Sequence, residues 1–257
     1  MSFDILFELG PITVAIALGI TIVAGVVKGA IGFAMPLIIV SVLSSFIDPK
    51  LAIAAIILPI VASNILQTFR QGIAPALAAS KEHWRYLLVV CIMIFVTAQL
   101  VPIIPRNLFY YVLGVPVVIL SFIQLVGLQL TIADRHKWWA EWLIAAISGA
   151  LGGLAGTWGP TTVLYLLAMK TEKLKQITVQ GVIYGLGSIT LLVAHIQSGI
   201  LNARTIGLSA ILVPFALFGM WFGFKLLDRL NPVRFRQATL LVLTLAGLNL
   251  LRKGLVG

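Results

Sequence analysis

The sequence predicts an all-α integral membrane protein made of two inverted repeats. Each repeat is expected to hold a discontinuous or re-entrant helical hairpin followed by three transmembrane helices. Three observations predict this. Of the 257 residues, 60% are hydrophobic and 10% charged, more apolar than a soluble domain of that size requires. Runs of about 20 apolar residues recur along the chain, the length that spans a bilayer, and they are apolar all round instead of showing one polar face at the helical period. Finally, Gly25-Val-Val-Lys28-Gly29-Ala-Ile-Gly32-Phe33-Ala-Met35-Pro36 and Gly149-Ala-Leu-Gly-Gly153-Leu-Ala-Gly156-Thr157-Trp158-Gly159-Pro160 are one motif written twice. Gly25, Gly29, Gly32 and Pro36 match Gly149, Gly153, Gly156 and Pro160 at a constant offset of 124 residues.

The elements follow in order. The stretch 11–46 is apolar but broken by the first motif copy, because glycine lets the backbone leave the helix and proline suits the first turn of a new one. Pro49-Lys50 then precedes a helix over 51–69, and Gly72 follows it. Helices are expected over 86–104 and 107–130, the second opened by Pro105. The second half repeats the plan: a broken stretch at 138–169, Lys173 and Lys175 before a helix over 176–197, Gly199 after it, and helices over 205–227 and 235–251, the last opened by Pro232. The chain thus reads as one membrane domain, 1–257, with repeats 1–130 and 138–257. Neither half can bury its polar break alone.

Charge placement sets an expected topology. With both broken stretches re-entrant, Lys50, Arg106, Arg204, Arg252 and Lys253 make five basic residues on one side, twelve lie on the other, and Lys28 falls in the first break. Full crossings by both would split them nine to eight. The positive-inside rule favours the uneven split. Each half then crosses three times, so the second half is inverted relative to the first, with the termini outside and the loops 70–85, 131–138, 170–175 and 225–236 in the cytoplasm. Whether the first arm, 11–27, is re-entrant or fully spanning stays open. Trp84, Trp138, Trp139, Trp142 and Trp221 fall near expected membrane boundaries, as belt tryptophans do, whereas Trp158 sits in the second break.

A helix broken at membrane depth leaves amides that lipid cannot satisfy, so each break faces protein or a water-filled cavity. Half-helices starting near Pro36 and Pro160 would aim two N-termini inward, each resembling about half a positive charge. Two such ends facing one cavity make an anion site. Helix packing alone accounts for Gly25-xxx-Gly29 and Gly149-xxx-Gly153 but not for the paired prolines. Lys28 is the one charge well inside an apolar run, with no acid nearby in sequence, so an anion is a candidate partner and carbonyls are the alternative. Gly152 stands in its place in the second copy. Asn64 and Gln67 share a face of the helix after the first break, and Gln176, Gln180, Tyr184 and Ser188 form a stripe after the second. Thr157, Thr161 and Thr162 offer hydroxyls at the second half-helix, either to a ligand or as caps. The expected substrate-binding set is Lys28, Gly29, Gly32, Phe33, Met35, Pro36, Asn64, Gln67, Gly153, Gly156, Thr157, Trp158, Gly159, Pro160, Thr161, Gln180 and Tyr184.

Other classes find less support. The net charge of +10 sits in short loops and not on a basic face, which argues against nucleic acid. Cys91 is the single cysteine, so an internal disulfide and cysteine-based metal sites are excluded. The first ten residues carry Asp4 and Glu8 and no Lys or Arg, unlike a cleavable signal peptide. All eight acidic residues map to termini, loops or helix ends, which leaves no buried carboxylate for a proton relay. No metal cluster, nucleophilic triad or phosphate loop appears, so neither enzyme activity nor a cofactor is expected.

On Gly29-Ala-Ile-Gly32-Phe33-Ala-Met35-Pro36, its partner Gly149 to Pro160 and the two-fold helical plan, the chain resembles the TauE/SafE family of membrane anion exporters, also called sulfonate-uptake permeases. The resemblance implies export of small sulfur-containing or organic anions, sulfite-like or sulfoacetate-like, from a bacterial cell across its inner membrane by alternating access between the repeats. An importer, or a sodium- or proton-coupled anion carrier on the same scaffold, is the alternative. Many members carry glycine where Lys28 stands. An interior at about −100 mV expels a monovalent anion with about 2.3 kcal/mol, which needs no coupling ion. The expected partners are a small anion and the lipid bilayer, with the oligomeric state left open between monomer and homodimer.

Overall fold

A computed structural model describes residues 4–127, 132, 134–169, 171–227 and 232–256. Among them lie eleven α-helices and one 3-10 turn, with no strand. The first half holds α1 (Asp4–Ile31), α2 (Met35–Leu43), α3 (Pro49–Thr68), α4 (Ile73–Glu82), α5 (Trp84–Ala98) and α6 (Arg106–Val126). The second holds α7 (Lys137–Ala155), α8 (Gly159–Ala168), α9 (Lys173–Gln197), α10 (Ile206–Leu227) and α11 (Pro232–Val256). Six of these are long and apolar enough to cross a membrane: Asp4–Ile31, Pro49–Thr68, Arg106–Val126, Lys175–Gln197, Ile206–Lys225 and Gln237–Val256. The outer face of the bundle carries apolar stripes such as Leu88, Ile92 and Val96 on the shorter α5 and Ile189, Val193 and Ile196 on α9, all exposed. Such faces suit lipid and not water.

Both breaks fall where the motif places them, at 32–34 between α1 and α2 and at 156–158 between α7 and α8. Three expectations need correction. The first arm is longer than 11–27: α1 begins at Asp4, and Pro11 follows a kink at Gly10 (φ 75°) instead of opening the helix. The stretch 86–104 is helical only to Ala98, and 99–104 is turn. The 70–85 loop contains α4, a helix with no counterpart between α9 and α10. Its alanines Ala76 and Ala79 pack inward while Ile73 and Leu77 stay exposed. The expected loop residues Lys170 and Arg229, and the stretch 128–130 of the fourth expected helix, lie outside the described residues.

The glycines of the motif divide their labour. Gly25 and Gly29 press α1 onto α10: an added Cβ would lie 2.5 Å from the Ala216 carbonyl and 2.3 Å from the Met220 carbonyl. Gly149 and Gly153 press α7 onto α5 in the same way, 2.6 Å from the Val90 carbonyl and 2.3 Å from the Ile94 carbonyl. Without a hydrophobic drive between helices in lipid, such close backbone approach supplies the association energy. Both pairs run parallel. Glu8 near the start of α1 pairs with Arg204 just before α10, and the glycine contacts ascend in order along both members of each pair.

Contacts between loops define the two ends of the bundle. At one end Arg204 meets Glu8, Lys253 Nζ donates to the Ser44 carbonyl (3.3 Å), Lys50 Nζ to Pro102 (2.5 Å) and Gln99 to Ala194 (3.2 Å). At the other, Lys175 pairs with Glu82 (2.6 Å), Arg70 lies 4.0 Å over the Phe224 ring and Thr178 donates to Gln71. The first broken segment therefore starts and finishes at the first end. The second runs from near Trp138 to the loop before Lys175, at the opposite end.

Candidate functional site

The two breaks touch. A Cβ added at Gly159 would stand 2.8 Å from Phe33 Cβ, and one at Gly156 would stand 3.6 Å from Pro36 Cβ. Each helix stops through a left-handed residue, Gly32 at φ 86° and Gly156 at φ 68°, a conformation glycine adopts without strain. Ala34 at φ 79° is the exception; it holds an L residue in the region that costs about 1–2 kcal/mol. Gly32 and Gly156 donate back to Lys28 and Gly152. The amides of Phe33, Ala34, Met35 and Leu37 at the first break, and of Trp158, Gly159 and Thr161 at the second, have no hydrogen-bond partner among the described residues. Pro36 and Pro160 enter the first turn of each half-helix, where a missing N–H costs nothing.

Two clefts open here. Lys28, Gly32, Phe33, Pro36, Asn64, Gly156, Thr157, Trp158, Gly159, Pro160 and Tyr184 line the smaller, together with Ala34 and Leu37. It spans about 310 Å³ including its open part, and its free interior is little more than a water's worth. The larger, about 1190 Å³ counted the same way, is lined by Lys28, Gly29, Gly32, Phe33, Gln67, Arg70, Gln176 and Gln180 among others. Lys28, Gly32 and Phe33 border both. Arg70 and Gln176 place the larger cleft toward the bundle end that holds Glu82 and Lys175.

Lys28 is 3% exposed. Its Nζ donates to Ser63 Oγ at 2.9 Å and to Asn64 Oδ1, both on α3. The expectation of loop carbonyls as its protein partners is thus replaced by two side chains of one helix. Asn64 Nδ2 donates to the Tyr184 carbonyl (3.1 Å), and Tyr184 Oη donates to the Gly159 carbonyl (3.1 Å). One hydrogen-bonded path therefore joins the first break, α3, α9 and the second break. Gln67 Nε2 donates to the Gly32 carbonyl (3.2 Å), while its buried Oε1 has no donor among the described residues. Close contact of α3 with α9 is again glycine-made: Cβ atoms at Gly181 and Gly185 would meet the Gln67 carbonyl (2.9 Å) and Thr68 Oγ1 (2.2 Å).

Three expected site residues lie outside both clefts. Met35 is fully buried in the apolar core. Gly153 is used up in the contact with α5, 2.2 Å from Thr97 Oγ1 for an added Cβ. Thr161 turns away from the cleft, its Oγ1 lying 2.9 Å from both Ser148 Oγ and the Trp158 carbonyl, with one proton to give to either. Thr162 donates to the same carbonyl (2.8 Å), so neither threonine caps an amide. Ser188 donates back to Gly185 (2.8 Å) and lines neither cleft. Sequence reading missed Ser63 as the second acceptor for Lys28 and Arg70 as a wall of the larger cleft. The polar run Ser63-Asn64, then Gln67-Thr68, in an otherwise apolar helix was the available signal.

The halves are not equivalent at this level. The offset that aligns the motifs maps Lys28 onto Gly152 and Ser63 onto Gly187. In the second half the Trp158 indole fills that space: Cε3 would be 2.6 Å from a Cβ at Gly152, and Cε2 3.6 Å from one at Gly187. A cation and its acceptor in one half are replaced by an aromatic plug in the other.

An all-helical bundle with six membrane-length helices and a polar cleft between two broken ones defines a multi-pass membrane protein. The chain belongs to the TauE/SafE sulfite exporter family, whose model matches residues 17–250 and so takes in both breaks. That is a family of transporters and not of enzymes. No curated protein and no solved structure matches the chain.

Proposed function

We propose that this protein exports small sulfur-containing or organic anions, sulfite-like or sulfoacetate-like, across a bacterial inner membrane by alternating access between two inverted halves. The observation that carries the reading is the meeting of the two glycine–proline breaks beside a buried lysine that has no acidic partner among the described residues. Free amides at two helix starts, about half a positive charge each, and one ammonium form a positive pocket in a low-dielectric setting. An unpaired ammonium at membrane depth costs at least about 2.5–3.5 kcal/mol, and an anion offsets that cost.

Helix direction supports the inverted arrangement. α1 runs parallel to α10 from the Glu8–Arg204 end, whereas α7 runs parallel to α5 from the Glu82–Lys175 end. The motif-bearing helices α1 and α7 thus point in opposite senses, as inverted repeats around a midplane site require. The larger cleft opens toward the end that carries most of the basic residues, which the positive-inside rule assigns to the cytoplasm. The reading therefore takes this conformation as the inward-open one, ready to load.

A thermal-shift screen of the purified protein against sulfite, sulfonates, carboxylates and sulfate tests the reading. Small oxyanions are expected to raise the unfolding midpoint. Lys28→Ala is expected to weaken the binding anion by about tenfold or more, and Lys50→Ala, at the bundle surface, to leave it unchanged, since a charge-assisted contact contributes about 1.5–3 kcal/mol. Stabilisation by none of these anions, or equal affinity in the two variants, removes the cleft from consideration.

A further inference from the structure

α3 and α9 run antiparallel, and their polar side chains stand in successive levels along the larger cleft. Asn64 donates to the Tyr184 carbonyl (3.1 Å), Thr68 to the Gly181 carbonyl (2.7 Å) and Thr178 to Gln71. These contacts fix the order. Innermost is Lys28, held by Ser63 and Asn64 beside the breaks. Gln67 and Gln180 come next, both buried and both lining the cleft. Arg70 and Gln176 stand outermost. The turn after Thr68 still bonds back to α3 through the amides of Phe69 and Arg70, so the chain rises about 9 Å from Asn64 to Arg70 at the helical spacing.

Arg70 has its donors to spare. It is exposed at the mouth and lies 4.0 Å over the Phe224 ring, which orients its plane. No hydrogen-bond or acidic partner reaches it among the described residues. Glu82, at the same end of the bundle, is taken by Lys175 (2.6 Å), and Gln176 spends its amide on the Thr171 carbonyl (2.7 Å). Five N–H donors in a fixed fork suit a carboxylate or sulfonate group. Between Arg70 and Lys28 the cleft wall is apolar, made by Ile31, Val163, Leu167, Ile177 and Phe224.

We propose that the larger cleft takes a two-headed anion, with one anionic group at the breaks, the second on the Arg70 guanidinium, and a short carbon chain between them along the apolar wall. The proposal rests on the reading of the breaks as an anion site and narrows its ligand class. A single-centred oxyanion touches one end of that rise but not both. A carbon chain carrying two sulfonates, or a sulfonate and a carboxylate, reaches both, and its second contact forms within an already bound ligand. The offset of the motifs maps Gln67, Arg70 and Gln180 onto Leu191, Ala194 and Ile56, all buried and apolar. The second head therefore has one station, on the side to which the larger cleft opens.

Titration calorimetry on the full chain in nonionic detergent tests this with propane-1-sulfonate, propane-1,3-disulfonate and sulfate. The wild type is expected to bind the disulfonate about tenfold or more tightly than the monosulfonate, the worth of one charge-assisted contact. Arg70→Gln should bring that ratio to about one, and Arg70→Lys, which keeps the charge, should retain part of it. Equal wild-type affinities for the two sulfonates overturn the proposal. So does a preference that survives Arg70→Gln, or an equal loss of both ligands in that variant. Sulfate carries the disulfonate's charge on one centre; a sulfate affinity that falls as far as the disulfonate's in Arg70→Gln means that Arg70 acts as a general field, and overturns it too. In each of these cases saturable binding of propane-1-sulfonate to the wild type leaves the anion site at the breaks standing. Binding of none of the three overturns both.

Discussion

Gly19 and Gly29 lie on one helix, and substitution should separate their roles. A Cβ at Gly19 meets nothing within 4 Å, whereas at Gly29 it meets the Met220 carbonyl at 2.3 Å, backbone that cannot rotate aside. Gly19→Ala is expected to leave the thermal unfolding midpoint unchanged or raise it by the equivalent of up to about 1 kcal/mol, the helix-propensity gain. Gly29→Ala is expected to lower it by about 1–3 kcal/mol through overpacking. Detergent-phase thermal unfolding of the two variants measures the contrast, and equal midpoints would mean that α1 and α10 are not in close contact. Motif spacing alone marks Gly29 and Gly32 as special, but not their different tasks: one packs a helix, the other turns the chain at φ 86°. Met35, Gly153 and Thr161 follow from the same motif logic and lie elsewhere, because a motif fixes backbone position while the neighbouring helix decides which way a side chain is used. Lys28 was visible as a lone charge. Ser63 and Asn64 as its acceptors were not, since their approach depends on how α3 crosses α1.

At the scale of elements, the breaks were legible because glycine and proline act locally. The packing partners were not: α1 lies against α10 and α7 against α5, each in the other half of the chain. α4 escaped because its short apolar pattern, Ile73 and Leu77 with small alanines between, lacks the length of a span. The start of the second half-helix is tied to α9 through Tyr184 Oη, which donates to the Gly159 carbonyl (3.1 Å). Tyr184→Phe removes that bond and is expected to cost about 0.5–1.5 kcal/mol, read as a lowered unfolding midpoint. It should also weaken anion binding, because the amides of Trp158 and Gly159 lose their fixed aim. Unchanged affinity in Tyr184→Phe would show that α8 holds its position without α9.

For the whole molecule, the charge count anticipated which loops gather at each end, and loop contacts such as Glu8–Arg204 and Glu82–Lys175 group them accordingly. Sidedness is open to direct assay in a Cys91→Ser background. Ala78→Cys, on the exposed side of α4, is expected to react with an impermeant maleimide only after cell lysis, and Asn202→Cys on intact cells. The reverse pattern would invert the topology and make the larger cleft face outward. The account as a whole turns on the two breaks and Lys28 forming one anion pathway. The most direct measurement is efflux of a loaded sulfur oxyanion from proteoliposomes carrying the wild-type protein, Lys28→Ala or Lys50→Ala. The account predicts saturable efflux for the wild type and Lys50→Ala and a rate at least about tenfold lower for Lys28→Ala, the loss of one charge-assisted contact. Equal rates in all three, or no protein-dependent efflux at all, would contradict it.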